Sequence, residues 1–592
     1  MRVTLCSLIS AASLTIFAAL AGTATAATAP SGPSTATGAG GAAATVETLA
    51  TQAAIDALRH GGNAVDAAVT AAAVLGVTEP FSSGIGGGGF LLLRTAAGTV
   101  TTIDQRETAP AAMRADSFWE NGAALPFTPA RYSGLSVGVP GTVAGWAKSL
   151  DHYGTISLAE ALQPAIRIAR EGFVIDGTFF AQTQENVDFF DDVPASAALF
   201  LDPDRTPRDV GTVFRNPDLA RAYERIAHLG AKGFYSGAIA DALVETVQSP
   251  PVAPTANHVW RPGLMTMRDL HAYVAPERAP TRVSYRGLDV YGMGPPSSGG
   301  STVGEALNIL EGYSLATETR ERQLHLFLEA SRYAFADRGA YLGDADFVRV
   351  PLRGLLSDGF AATRRALIKE TAAAGAVAAG DPWPFEDALG LLLAGASVDQ
   401  EGLSTTHLSV SDRWGNVVSY TFTIESTGGA GLVVPGWGFL LNNELTDFDY
   451  ALLHHPNSVA GGKRPRSSMA PTIVTQGGHG HTLLTVGSPG GSTIITTVLQ
   501  LLLDRLDAGM TLPQAIADPR ATQRNGATTQ AEPAFRASPL AAALEARGHR
   551  FATNPEIGAA TGIEFLPAGG VIAAAEPTRR GGGSAMVEMA AP

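Results

Sequence analysis

The stretch Glu401-Gly402-Leu403-Ser404-Thr405-Thr406-His407, with the residues that follow it, decides how this chain is read. Thr405 to Asp412 and Val417 to Ile424 are rich in β-branched and aromatic residues, and they flank Arg413-Trp414-Gly415-Asn416, a turn sequence. Two strand-forming runs around such a turn predict a β-hairpin. Pairing Asp412 with Val417 places Thr405 opposite Ile424 and one residue from Thr423, so a second hydroxyl lies beside the first. Threonines at a strand start are a weak sign of chemistry by themselves, because threonine is a common strand former. Farther along, the strand His481 to Val486 runs into Gly487-Ser488-Pro489-Gly490-Gly491, and the apolar helix Ser492 to Leu503 follows. A glycine pair before a helix start presents backbone N–H groups with no side chains in the way, the geometry wanted for an oxyanion hole. Hydroxyl, helper hydroxyl and oxyanion donors are three parts of an acyl-transfer site.

Toward the N-terminus the pattern turns helical at Thr48, with Leu49, Ala53, Ile55 and Leu58 near one face and Gly61 as a stop. Asn63 then caps a second helix through Leu75, and the glycine run Gly84–Gly89 opens the apolar strand Phe90 to Leu93. Residues 155–370 read as mostly helical, so helices and strands alternate in a layered α/β body. The Gly84–Gly89 run matches a dinucleotide fingerprint, but that motif must open a helix; here it opens a strand and reads as a packing or substrate loop. Gly134-Leu135-Ser136-Val137-Gly138 matches a hydrolase elbow, yet Pro140-Gly141 prevents the helix an elbow requires, so Ser136 reads as a loop serine. His454-His455 and His479-Gly480-His481 lack metal-ligand spacing and read as solvated turns. Asn442-Asn443-Glu444 with Asp447, Lys463 to Ser468, and Arg106 place charged and hydroxyl groups in Gly- and Pro-marked loops.

The 592 residues are 45% hydrophobic and only 16% charged, which excludes disorder over most of the chain. A net charge of -14 with no basic run excludes nucleic acid as a natural partner. The one cysteine, Cys6, lies in a stretch that reads as a secretory signal over residues 1–26, ending at Ala24-Thr25-Ala26. Cleavage there removes the thiol, and the mature protein is expected in the periplasm or outside the cell with no stable membrane anchor. Residues 27–44, nearly all Ala, Thr, Gly, Ser and Pro, read as a flexible leader. No internal repeat and no long linker divides the chain after residue 45.

Together, Gly61-Gly62-Asn63-Ala64-Val65-Asp66-Ala67-Ala68, Asp104-Gln105-Arg106-Glu107-Thr108-Ala109-Pro110, Pro295-Pro296-Ser297-Ser298-Gly299-Gly300, Thr405-Thr406-His407, Asn442-Asn443, Arg464-Pro465-Arg466-Ser467-Ser468-Met469 and Gly487-Ser488-Pro489-Gly490-Gly491 form an ordered series. In that series the chain resembles the gamma-glutamyltranspeptidase (glutathione hydrolase) family of the N-terminal nucleophile superfamily, from about Thr48 to near its end. The resemblance implies a four-layer αββα sandwich, an inactive precursor, and self-cleavage between Ser404 and Thr405. The products would be a large subunit (45–404) and a small subunit (405–592) that stay together as a heterodimer.

It also implies roles. Thr405 becomes the nucleophile, and its freed α-amine, with a pKa of roughly 8, serves as the base. Thr423 orients the Thr405 hydroxyl, and the Gly490 and Gly491 amides hold the oxyanion. Arg106, Ser467 and Ser468 take the donor's α-carboxylate; Glu425, Glu444 and Asp447 take its α-ammonium. The acyl group passes to water or to an amine or dipeptide acceptor, with no metal or organic cofactor. Two departures stand out: Glu425 occupies a position where many members carry Asn, and only 15 residues separate Asp447 from Lys463, a short loop that predicts a site open to water. A glutaryl or cephalosporin acylase has the same nucleophile and takes a donor without the ammonium. A non-enzymatic binding protein would be expected to lose Thr405 or the glycine pair, and both are present.

Overall fold

The computed structural model describes residues 32–386, 404–478 and 480–590. Residues 1–26, read above as a signal, lie outside these residues, as do Gly402-Leu403 and His479.

Two capped helices begin the body. Glu47 accepts hydrogen bonds from the Leu49 and Ala50 amides at the start of α1 (Thr48–Arg59). Asn63 and Asp66 form a reciprocal capping box that starts α2 (Ala64–Thr78). Every residue of α2 is buried, as expected of a helix that is apolar all round.

The main sheet has thirteen strands: β1 (Thr35–Thr45), β2 (Gly88–Arg94), β3 (Val100–Asp104), β4 (Glu277–Arg278), β5 (Thr281–Tyr285), β6 (Leu288–Gly292), β7 (Thr406–Ser411), β8 (Val417–Thr423), β9 (Thr472–Gln476), β10 (Thr482–Gly487), β11 (Thr561–Phe565), β12 (Val571–Ala575) and β13 (Ser584–Ala590). Their order is β4-β3-β2-β8-β7-β1-β12-β11-β10-β9-β6-β5, with β13 on β1, and every pairing is antiparallel. The path folds back on itself, so β7 and β8 lie face to face with β10 and β11. Ser419 on β8 crosses the gap, accepting from the Thr472 amide at 3.1 Å and donating to the Val486 carbonyl at 3.3 Å. Outside one face pack α1 and α2; outside the other pack α4 (Gly299–Glu311), α5 (Arg320–Tyr341) and α6 (Thr493–Leu506), reached after α3 (Gly177–Phe190). Helix, sheet, sheet and helix make the expected αββα sandwich.

Two expectations are corrected. Residues 35–44, read as part of a flexible leader, form most of β1 at the join of the two sheet halves, hydrogen-bonded to β7, β12 and β13. Low hydrophobicity misled the reading, because small residues are what this crowded position needs: a Cβ on Gly38 would sit 2.0 Å from the Met589 carbonyl oxygen. The hairpin register is shifted by one: Ser411, not Asp412, pairs with Val417. Asp412 belongs to the turn, where its carboxylate accepts the Trp414 and Asn416 amides, both at 2.9 Å. The shift sets Thr405 in line with Thr423 itself.

Candidate active site

Thr405 ends the β7 side of the hairpin with its hydroxyl against the Ser404 carbonyl and 3.1 Å from Thr423 Oγ1. Thr423 Oγ1 accepts the Glu425 amide at 2.8 Å and reaches the Ser404 carbonyl at 3.2 Å. Both lone pairs and the proton of the Thr423 hydroxyl therefore have work, which fixes where it points. Behind it, the glycine run lets the strands close up: a Cβ on Gly87 would lie 2.0 Å from the Thr423 carbonyl oxygen, consistent with a packing role. His407, buried on β7, meets Thr421 Oγ1 at 2.7 Å, and burial drives its pKa down to about 3, so it stays neutral.

A cavity of about 220 Å³ opens at this hydroxyl. Arg106, Ser404, Thr405, Thr423, Glu425, Glu444, Asp447, Ser467, Ser468 and Gly491 all line it, together with Met469 and Ile494, which sequence reasoning did not single out. Gly490 lines a separate cleft on the far side of the glycine pair. Among the described residues neither glycine amide donates a hydrogen bond, while their carbonyls accept from Thr493 and Ile494 at the head of α6.

Arg106 follows β3, and four of its five guanidinium N–H groups have partners. It donates to Glu444 through Nη1, to Asp447 at 2.6 Å and the Arg466 carbonyl at 3.0 Å through Nη2, and to the Pro465 carbonyl at 3.1 Å through Nε. Glu444 and Asp447 sit on a short turn tied down by Asn442, whose side chain accepts the Gly138 and Glu444 amides at 2.9 and 3.0 Å. Asn443 and Ser426 both donate to the Glu425 carboxylate. Arg338 on α5 donates to Ser468 Oγ at 2.7 Å and to Ser298 Oγ at 2.8 Å, fixing the hydroxyl wall.

Acid outnumbers base here. Glu107, buried beside Arg106, adds a fourth carboxyl that sequence reasoning passed over, although it stands in the Arg106-Glu107-Thr108 motif. Burial pushes Glu107 up to about 8 and Glu444 well above the carboxylate range, each lowered in part by Arg106. Burial and the neighbouring Glu425 charge raise Asp447 to about 7. Such a crowd holds protons that an entering cation can replace.

The short loop after Asp447 is stapled down. Tyr450 packs on Phe118 with ring centroids 4.8 Å apart and the planes tilted by 33°, its carbonyl accepts Trp119 Nε1 at 2.8 Å, and its phenol is raised to about 12 by burial and by the Glu425 charge. Lys463 Nζ donates to the Pro456 and Ser458 carbonyls at 2.6 and 2.9 Å. His455, read as solvated, is instead buried between Asp449 at 3.1 Å and the Gly339 carbonyl at 2.7 Å; the turn needed an internal donor.

Residues 50–586 match the family model for gamma-glutamyltranspeptidase. The chain belongs to that family. It is 39% identical over 507 residues to a glutathione hydrolase proenzyme of Bacillus subtilis, covering 84% of this chain and 83% of that protein. Another from Escherichia coli is 36% identical over 539 residues, covering 89% and 88%. Among solved structures, a cephalosporin acylase from Bacillus halodurans superposes with a TM-score of 0.81 at 28% identity, covering 94% of this chain and 97% of that one. The gamma-glutamyltranspeptidase family member described here is thus an enzyme with the N-terminal nucleophile fold, and its relatives include acylases.

Proposed function

We propose that this enzyme is made for export, cleaves itself between Ser404 and Thr405, and then hydrolyses or transfers γ-glutamyl groups from glutathione and related amides through a threonyl ester. The observation that carries the proposal is the Thr405 hydroxyl resting on the Ser404 carbonyl at the mouth of a cavity holding Arg106, Glu425, Glu444 and Asp447.

Processing begins when Thr405 Oγ1 attacks the Ser404 carbonyl carbon. The new C–O bond replaces the C–N bond, the nitrogen leaves with a proton as the Thr405 α-amine, and water then hydrolyses the ester to free the Ser404 carboxylate. Thr423 orients the attacking hydroxyl throughout. In turnover the α-amine removes the hydroxyl proton as Oγ1 attacks the γ-amide, and the Gly490 and Gly491 amides receive the oxyanion. The amine then protonates the leaving nitrogen. A donor's ammonium enters among Glu425, Glu444 and Asp447 and displaces the protons that burial keeps on Glu444 and Asp447. Its carboxylate meets Arg106, Ser467 and Ser468.

The acylase relatives favour one rival reading, a donor with a glutaryl group and no ammonium. The crowded carboxyls argue for the ammonium, since Arg106 is shared among them and a donor without an ammonium brings them no second cation. Release of p-nitroaniline from its γ-glutamyl and glutaryl conjugates, after mass spectrometry of the purified chains, decides the matter. A faster glutaryl reaction overturns the γ-glutamyl assignment, and a single uncut but active chain overturns the N-terminal threonine.

A further inference from the structure

With four of its N–H groups already bonded inside the protein, Arg106 keeps only the second N–H of Nη1 for a donor's carboxylate. Two of its partners are the carboxyls of Glu444 and Asp447, which also offset its charge. A carboxylate drawn from water into this cavity therefore needs a further cation. Arg338 supplies one from behind the serine wall.

Arg338 is buried on α5, its guanidinium carbon 5.4 Å from the centre of the Phe335 ring. Its Nη2 donates to Ser468 Oγ at 2.7 Å and its Nε to Ser298 Oγ at 2.8 Å. Ser298 in turn donates its hydroxyl proton to the Ser467 carbonyl at 2.7 Å, and its amide donates to the same oxygen at 2.7 Å. The loop 295–300 is thus a strut between α5 and the Ser467-Ser468 segment, and the β-bridge between Ser297 and Ser467 lies along it.

A hydroxyl has one proton and two lone pairs, so an N–H donor on its oxygen leaves the proton to point elsewhere. At Ser468 that donor is Arg338; at Ser467 it is the Met469 amide, at 3.1 Å. Among the described residues nothing accepts either hydroxyl proton, and both serines line the cavity. The two protons therefore face the cavity, where they suit an anion. A hydroxyl between two hydrogen bonds of about 2.7 Å sets Nη2 and a bound carboxylate oxygen roughly 4.5 Å apart. Across that gap in a buried site the guanidinium still attracts the anion.

Resting on the γ-glutamyl reading above, we infer that Arg338 is a positioning residue for the donor's α-carboxylate: it turns the Ser468 proton into the cavity and places behind it the positive charge that Arg106, held by Glu444 and Asp447, cannot give in full. Arg338 touches no substrate atom. Its effect reaches the carboxylate through Ser468, while Arg106 serves chiefly as the frame for the acids that meet the ammonium.

Three p-nitroanilides test this. The γ-glutamyl conjugate carries carboxylate and ammonium, the glutaryl one the carboxylate alone, and the 4-aminobutyryl one the ammonium alone. Arg338→Gln should lower kcat/KM for the first two by roughly 10- to 150-fold, mainly through KM, and leave the third within about threefold. Arg338→Lys keeps the charge without the planar fork and should recover part of the loss. Combined with Ser468→Ala, the losses should not add, because both changes break one relay. A merely structural role would lower all three conjugates alike; that result overturns the proposal, and so do additive losses. If Arg338→Gln does not accumulate as folded protein, Arg338→Lys carries the same comparison, with equal loss on all three conjugates as the refuting result. Release from the glutaryl conjugate alone by the unaltered enzyme would instead sink the γ-glutamyl reading, and the loss on that donor in Arg338→Gln would still judge Arg338.

Discussion

Replacing Asp447 by Asn removes a charge and little volume from the most crowded part of the donor cavity. Its carboxylate is almost fully buried and bonded to Arg106 at 2.6 Å. Breaking a buried pair ordinarily costs about 3–5 kcal/mol, because it strands the partner charge. Arg106 is not stranded here, since Glu444 and two carbonyls keep it engaged, and the change relieves the repulsion from Glu425. The variant should therefore fold and process. The donor's ammonium loses a charged hydrogen-bond partner worth about 1.5–3 kcal/mol, or roughly 10- to 150-fold in kcat/KM. A glutaryl donor lacks the ammonium and should lose much less.

Acidity gives an independent readout. With a folded-state pKa raised to about 7, Asp447 is protonated on the acid side and ionised only above it, and the ammonium favours the ionised form. For γ-glutamyl-p-nitroanilide, kcat/KM should climb as pH rises through about 7, ahead of the rise from the Thr405 amine at roughly 8, and Asp447→Asn should remove the lower part of that rise and leave the amine's. The same raised value works against the fold: the unfolded carboxyl ionises near 3.8 while the folded one still holds its proton, so this group's contribution to stability declines between those two pH values. Equal loss on the two donors in a normally processed variant, with the acid limb unchanged, refutes the ammonium assignment.

Thr405→Ala should remain one chain and Thr405→Ser should still split, while Thr423→Val, which removes the hydroxyl orienting Thr405, should slow splitting by up to roughly tenfold on a time-resolved gel. Scission of purified Thr405→Ala at the same bond would show that the hydroxyl is not the agent. Gly38→Val forces a side chain onto the Met589 carbonyl and should cost at least about 1–3 kcal/mol by overpacking, read as a lower denaturation midpoint; an unchanged midpoint would mean that β1 adds nothing to the fold. Tyr450→Ala removes the ring standing by Glu425, so a larger share of acyl-enzyme should go to water at fixed glycylglycine. An unchanged share would mean that this loop does not cover the site.

What the sequence made legible is what is local. The hairpin, the α1 and α2 caps and the glycine pair before α6 each follow from residues a few positions apart, and the register missed by one because a carboxylate served the turn instead of the ladder. Arg580 was out of reach for the opposite reason: its contact with Thr405 spans 175 residues and exists only because β12 and β13 return the chain beside β1. β1 hid behind its composition, since alanine and glycine resemble a linker until the neighbouring strands that confine them are known. Glu107 shows a third kind of blindness. An acid beside an arginine reads as a neutralised pair, yet in the fold that arginine is shared with Glu444 and Asp447, so the added carboxyl must hold a proton. Pocket charge is a property of the assembled cluster, and here the cluster is short of cations until a substrate brings one.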